Sequence, residues 1–140
     1  MKKYLITLLL ILTVIYKAKC QNITENYFIG NWKVKNIEIV KIAEDLGDEK
    51  QMLMMKNAFL KSRFEFKADK HFNLKIALKD MAITNEHWKF SEMENIITIQ
   101  EWKDIKNKNS ITMEIKVSEI DNKIYFLLIE TPFKLEMIKE

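Results

Sequence analysis

The sequence predicts an all-β protein: an eight-stranded antiparallel up-and-down barrel with one helix between the first and second strands. From Arg63 onward, short runs alternate apolar and polar residues, which is the period of half-buried strands. Short connections join these runs, and this favours antiparallel pairing between sequence neighbours. A meander with unpaired edges commonly closes into a barrel, and an open sandwich is the alternative.

Residues 1–20 are predicted to be a secretory signal peptide. Two lysines precede an almost unbroken apolar run from Tyr4 to Tyr16, which is shorter than the roughly 20 apolar residues that span a membrane. Cleavage after Cys20 would export residues 21–140, the predicted barrel domain, to the periplasm or the medium. The alternative is a lipoprotein anchored to the membrane through Cys20, which Lys17-Ala18-Lys19 disfavours because small and apolar residues usually precede such a cysteine.

Composition excludes some function classes once the predicted signal is set aside. The chain has 23 basic and 20 acidic residues, but four lysines and no acid lie within residues 1–20, which leaves 19 against 20. A net charge of −1 gives no support to nucleic-acid binding, which favours a clustered basic face. Residues 21–140 contain no cysteine, so we expect the core to hold the fold without disulfides.

The first predicted strand begins at Gly30-Asn31-Trp32, and seven further strands follow it. Their expected ranges are 30–42, 63–67, 71–79, 86–92, 95–102, 110–119, 123–130 and 133–139. Alternation assigns one large apolar face to the interior. Its members are Phe64, Phe66, Phe72, Leu74, Ile76, Leu78, Trp88, Phe90, Ile97, Ile99, Met113, Ile115, Val117, Phe126, Leu128, Phe133, Leu135 and Met137.

Turn residues predict the register of the last three strands. A type I′ turn at Asp121-Asn122 would place Val117 opposite Phe126. Thr131-Pro132 is the next corner, where proline is tolerated because no ladder amide is needed. Continuing that register places Phe126 beside Met137, and both hairpins then agree on the inward face.

Residues 48–60, DEKQMLMMKNAFL, break the strand period and predict a helix. Asp48 is a candidate N-cap, and Met52, Met55 and Phe59 share one face of the helix. Since the helix lies between the first two strands, we expect it to pack across one mouth of the barrel.

Three segments, FIGNWKVKNIEI, RFEFKADKHFNLKI and HWKFSEMENIITI, resemble the small bacterial lipocalin-like domains of the calycin superfamily. In those domains a GxWxV strand, an FxFxADGxF hairpin and a WxxxxxxNxITI hairpin recur. The resemblance covers residues 27–140 and implies a small barrel that binds a hydrophobic ligand. Gly30 and Trp32 then form a barrel-closing signature, with Trp32 as a plug at the closed end.

The chain departs from that family pattern at identifiable positions. Lys70 replaces the usual glycine at a turn position that tends to need positive φ. Lipocalins proper carry a late arginine over the first-strand tryptophan, whereas the only arginine here is Arg63. The tail FKLEMIKE lacks the Arg-x-Tyr pair with which fatty-acid-binding proteins hold a carboxylate, so that mechanism is not carried over.

No enzyme, cofactor or metal site is predicted. The serines lie in no nucleophile motif, and the sequence has no glycine-rich phosphate loop. If strands three and four align their apolar residues, His87 lies beside Ala77. His71 and His87 are then about 20 Å apart at 3.3 Å per residue, too far to share a metal ion.

Two hypotheses of function follow. The first is a carrier or scavenger of a small hydrophobic ligand in the cell envelope, with a cavity that opens between the helix and the strand ends. Its candidate lining residues are Phe64, Phe66, Phe72, Leu74, Trp88, Phe90, Met113, Ile115, Phe126, Leu128, Met52, Met55 and Phe59. The alternative is a filled barrel that acts as an envelope interaction module through the outward residues Tyr125, Leu127 and Ile129.

Overall fold

A computed structural model describes residues 23–40, 48–78, 81–107 and 110–140, and its strands form a closed antiparallel barrel. Each strand pairs with the next, and the last pairs with the first, which confirms the predicted fold class. The strands are β1 Gly30–Ile39, β2 Arg63–Phe66, β3 His71–Lys75, β4 Ala82–Ser91, β5 Ile96–Gln100, β6 Ile111–Ile120, β7 Lys123–Leu128 and β8 Phe133–Lys139.

Within the described residues, two helices and one 3-10 turn accompany the barrel. Helix α1, Glu25–Phe28, precedes β1, and helix α2, Glu49–Leu60, connects β1 to β2 as predicted. Asp48 is the N-cap of α2, since its side chain accepts a hydrogen bond from the backbone N–H of Lys50. No helix in the described part of the chain is long and apolar enough to cross a membrane. The predicted signal peptide lies outside the described residues.

The β6–β7 register is confirmed, whereas the β7–β8 register is shifted by two residues. Asp121-Asn122 has φ values of 52° and 60°, as a type I′ turn requires, and Val117 lies opposite Phe126. Phe126 then pairs with Leu135 and not with Met137. The reason is that Glu130 adopts a φ of 74°, so the turn closes one residue earlier than predicted. A shift of two keeps the same side chains inside.

The predicted register of β3 and β4 is wrong. β3 ends at Lys75 and β4 begins at Ala82, so the connection lies at 76–81 and not at 80–85. His71 therefore lies directly opposite His87, and the predicted separation of about 20 Å does not hold. A bulge at Asn85, which has a φ of 57°, inserts an extra residue into β4. Inward and outward residues therefore do not alternate regularly along the whole strand.

The predicted ends of β1 and β5 are also too long. β1 ends at Ile39, and positions 41 and 42 lie outside the described residues. β5 ends at Gln100, where a 3-10 turn over Trp102–Asp104 begins the next connection. The buried Gln100 side chain donates from Nε2 to the carbonyls of Asp104 and Asn107, and these bonds hold the connection against the barrel.

Most of the predicted inward face forms the core. The tryptophan, phenylalanine, isoleucine and leucine side chains at its centre are fully buried, including Phe64, Phe126 and Trp88. Ile76, Phe90 and Met113 are partly buried and pack against this core. Leu78 is half-buried and lies beyond the end of β3, in the connection to β4. The alternation therefore identified the interior correctly wherever the strand bounds were correct.

Candidate functional site

A cavity of about 680 Å³ lies at the α2 end of the barrel and is partly open to solvent. This volume falls in the range of about 300–1,000 Å³ that is usual for small-molecule sites. Its wall comes from α2, the β3–β4 connection, the first residues of β6 and the β7–β8 turn. The lining residues are Met55, Phe59, Ile76, Met81, Ala82, Ile83, Ile111, Thr112, Met113, Glu114, Leu128, Ile129, Glu130 and Thr131.

The sequence-predicted lining residues divide between the cavity and the packed core. Met55, Phe59, Met113 and Leu128 line the cavity. Met52 packs half-buried against the core from the same helix. The remaining candidates lie in the packed core and not in the cavity wall: Phe64, Phe66, Phe72, Leu74, Trp88, Phe90, Ile115 and Phe126.

Sequence reasoning missed the wall formed by Met81, Ala82 and Ile83 because it assigned these residues to a turn. Ile83 lies opposite Leu74 and shares its inward face. The bulge at Asn85 moves the inward positions of β4 from odd to even numbers, so Ile83 and Trp88 cannot be joined by one alternating pattern. An asparagine at this position was the available signal, because Asn tolerates the left-handed conformation better than most residues.

The opposite end of the barrel is filled with aromatic side chains. Because β1 runs from one end to the other, α1 and α2 lie at opposite ends. Trp32 is buried, and its Nε1 donates to the carbonyl oxygen of Phe28 at 2.8 Å. The Phe28 ring lies 4.7 to 6.3 Å from the rings of Phe66, Phe90 and Phe126, measured between centroids. Helix α1 thus places a phenylalanine as a plug in this end.

Lys139 covers the same end from outside. Gly30 has a φ of 130°, and a Cβ there would lie 3.1 Å from the Cε of Lys139. The Nζ of Lys139 lies 5.6 Å from the Trp32 ring centroid and donates to the Tyr27 carbonyl at 2.7 Å. Lys139, and not an arginine, therefore lies over the first-strand tryptophan.

Arg63 contributes to neither end of the barrel interior. Its side chain is 59% exposed and forms an ion pair with Glu140 on the surface. Glu140 also lies 3.5 Å from the ammonium of Lys33. The hydrogen bond from Arg63 is the largest cause of the lowered pKa of the Glu140 carboxyl. The arginine is committed to this surface pair and supplies no cation to the cavity.

Lys70 ties α1 to the barrel. Its φ of 73° agrees with the predicted need for positive φ, and its ammonium forms an ion pair with Glu25 and lies 4.9 Å from the Trp88 ring centroid. The other oxygen of Glu25 accepts a hydrogen bond from the Phe90 N–H at 3.2 Å. Burial acts to raise the pKa of Glu25, but these hydrogen bonds outweigh it and the pKa is lowered.

The two histidines meet on the outer surface of the barrel. Both imidazole centroids lie 4.8 Å from the Trp102 ring. Burial, followed by the nearby charge of Lys70, lowers the pKa of His87. In the described ranges, no group of three or more His, Cys, Asp or Glu side chains is placed to bind a metal ion. Their contacts with Trp102 pack the 3-10 turn against the sheet.

The charge of the cavity wall bears on what it can hold. Among the described lining residues the charged ones are Glu114 and Glu130, with no lysine or arginine. Glu114 alternates with the inward Met113 and Ile115, so β6 directs it away from the interior. An apolar molecule finds complementary walls here, whereas a carboxylate group finds no cation.

The outward apolar set proposed for the interaction module is half-buried. The ammonium of Lys134 lies 4.3 Å from the Tyr125 ring centroid, and Lys134 is the cross-strand neighbour of Leu127. Ile129 lines the cavity. Long lysine stems thus shield part of this surface from water.

Comparison with known proteins identifies a family for most of the barrel. A family model described as a lipocalin-like domain matches residues 28–121, from the end of α1 through β6. No curated protein and no solved structure matches the chain.

Proposed function

The chain belongs to the lipocalin-like domain family, and we propose that it binds a small hydrophobic molecule in the cavity beneath α2. The cavity of about 680 Å³ carries this proposal, because its wall is mainly aliphatic and thioether in character. We further propose that the protein works after export, as a carrier or scavenger in the cell envelope. Support for export comes from the signal-like pattern of residues 1–20.

The wall favours an uncharged ligand with little hydrogen-bonding demand. Met55, Met81 and Met113 provide unbranched, polarisable side chains that adapt to irregular ligand shapes. Burial of about 300 Å² of apolar ligand surface is worth roughly 7 kcal/mol before the costs of association. We therefore expect dissociation constants in the micromolar range or weaker.

The alternative, a filled barrel that serves only as an interaction module, has less support. Its outward surface at Tyr125, Leu127 and Ile129 is half-buried, and one end of the barrel holds a cavity. A catalytic role is also less well supported, because lipocalin-like barrels are typically binding folds and the cavity wall offers no nucleophile paired with a base within the described residues.

Titration of residues 21–140 with a neutral apolar dye, N-phenyl-1-naphthylamine, tests the proposal. We expect saturable binding with one site per chain, measured by dye fluorescence. Met113→Trp should weaken it at least about tenfold, because the larger ring fills the cavity. The matched control is Met93→Trp on the β4–β5 hairpin, where the side chain is 96% exposed and lies far from the cavity wall. Absence of saturable binding, or equal loss in both variants, would contradict the proposal.

A further inference from the structure

Helix α2 has a second apolar face that points away from the barrel. Met55 and Phe59 line the cavity, whereas Leu53 and Met54 are 58% and 53% exposed. Leu60, at the last position of the helix, is also exposed. A surface helix that only covers a core needs one apolar face, so the second one requires a separate explanation.

The exposed residues follow the spacing of a helix surface. Residues three and four apart fall on the same face, so this face is continuous along α2 and its last turn. We call it the outer face of α2, and its members are Lys50, Leu53, Met54, Asn57, Leu60 and Lys61. Three apolar side chains and Asn57 thus lie between a lysine at each end.

The charge of this segment is one-sided. From Lys50 to Lys61 it contains three lysines and no acid, and none of the three forms an ion pair with another described residue. Asp48 and Glu49 lie at the helix N-terminus, where Asp48 serves as the N-cap. Exposed apolar side chains flanked by lysines that pair with no described acid are complementary to a bilayer with anionic headgroups.

The apolar surface continues at the cavity rim. Met81 and Ile111 both line the cavity and are 42% and 37% exposed. Among the described residues, Leu53, Met54 and these two side chains place exposed apolar groups around the same end of the barrel. The other end also exposes apolar side chains, such as Tyr27 and Met93, but they surround the buried Trp32 end and not the cavity.

We propose that the outer face of α2 docks on a lipid bilayer that carries anionic headgroups. Leu53 and Met54 insert below the headgroup level, and Lys50 and Lys61 contact lipid phosphates. Docking places α2, which covers the cavity, against the membrane, from which an apolar molecule can enter the cavity. Docking itself does not require a ligand, whereas its purpose in loading the cavity rests on the proposed function.

Vesicle flotation of residues 21–140, which include every described element, tests this docking. Vesicles of equal parts phosphatidylcholine and phosphatidylglycerol should bind the protein, and pure phosphatidylcholine vesicles should bind it several-fold less. The double variant Leu53→Gln, Met54→Gln should lose about tenfold in partitioning. Met93→Gln is the matched control, because it removes an exposed methionine at the β4–β5 hairpin.

Charge variants and a second readout separate the outcomes. Lys50→Gln with Lys61→Gln should abolish the preference for phosphatidylglycerol. No partitioning into either vesicle, or equal partitioning of the Leu53 and Met54 double variant, would overturn the proposal. So would a dimer, seen by light scattering, that this variant converts to a monomer, because the outer face would then bind a second copy.

Dye titration on the same samples distinguishes docking from ligand binding. The Leu53 and Met54 double variant should bind the neutral dye as wild type does, because Met55 and Phe59 remain on the cavity side. Vesicle binding without dye binding would support docking and contradict the proposed ligand function. Loss of both vesicle binding and dye binding in the double variant would indicate an unfolded helix. Circular dichroism would detect such unfolding, and a Leu53→Met variant, which retains an apolar side chain, would serve as the folded comparison.

Discussion

The two ends of the barrel are built from the same eight strands but are filled in different ways. At the α1 end, Phe28, Trp32 and Phe126 bring their rings within 6.2 Å of one another, and little space remains. At the α2 end, Met55 and Met113 face a cavity of about 680 Å³. An eight-stranded barrel is just wide enough either to be filled by side chains or to hold one small ligand. Here one end is filled and the other leaves a cavity.

The difference indicates that dense aromatic packing and open space are found in separate parts of the molecule. The α1 end is held by directional contacts, including the Trp32 hydrogen bond and the ion pair of Lys70 with Glu25. The α2 end depends on adaptable apolar contacts, and a hydrogen bond from the Ser62 hydroxyl to the Ala58 carbonyl closes the last turn of its helix. We therefore expect substitutions at the α1 end to affect stability and those at the α2 end to affect binding.

We expect the largest difference between the two ends in the free energy of unfolding of Phe126→Ala compared with Met55→Ala. Phe126 is fully buried among rings, so its truncation should lower the free energy of unfolding by about 3–5 kcal/mol. Met55 borders a cavity and is half-buried, so its truncation should cost about 1 kcal/mol or less. Urea unfolding followed by circular dichroism measures both, and equal losses would contradict the division between the ends.

A smaller loss is expected from Gly30→Ala at the α1 end. A φ of 130° is unfavourable for an L side chain, and the new Cβ would press on Lys139. The free energy of unfolding should fall by about 1–3 kcal/mol. Combining Gly30→Ala with Lys139→Ala should not restore stability, because the backbone conformation is the main cost. Full restoration in a urea titration would assign the cost to the side-chain contact alone.

Replacing Lys70 in two ways separates backbone strain from charge. Lys70→Gly has no Cβ and adopts the positive φ without steric strain, whereas Lys70→Met keeps the strain, and both remove the ion pair with Glu25. The glycine variant should therefore be more stable than the methionine variant by about 1 kcal/mol. Thermal or urea unfolding of the two variants beside wild type provides the measurement. The reverse order would mean that the turn carries no strain.

The smallest expected effect is a pH dependence from His87 on the outer surface, apart from both ends. Its pKa in the folded state is lowered from 6.5, chiefly by burial, so the unfolded state binds the proton more readily. The free energy of unfolding should fall as pH drops below 6.5, and His87→Gln should flatten this slope. Carboxyls with lowered pKa, such as Glu25, lose their contribution at more acidic pH, below 4.5. Urea unfolding between these two limits isolates the histidine, and an unchanged slope would contradict this origin.

Much of the fold was predictable from local pattern, but positions along the barrel axis were not. Alternation predicted the inward face, and Asp48 with Met55 and Phe59 predicted α2. Alternation indicates which face of the sheet a residue lies on, but not its position along the barrel axis. Phe66 and Met113 were therefore both assigned to one cavity, although only Met113 lines it. The position along the axis depends on strand tilt and register, and the bulge at Asn85 altered the register.

The cavity wall was predictable where α2 supplies it, but not where the connections between strands supply it. Met81 and Glu130 lie in or beside turns whose geometry depends on single backbone conformations, such as the φ of 74° at Glu130. Lys139 took the place over Trp32 because β8 ends beside the start of β1, a pairing that involves distant parts of the chain.

The pairing of β1 with β8 also determines when the protein can finish folding. Trp32 lies opposite Lys139, so the barrel cannot close until the chain has left the ribosome as far as Lys139. Loop closure over such a separation is slow relative to hairpin formation. The nascent chain should consequently emerge as a row of partly formed hairpins with two open edges.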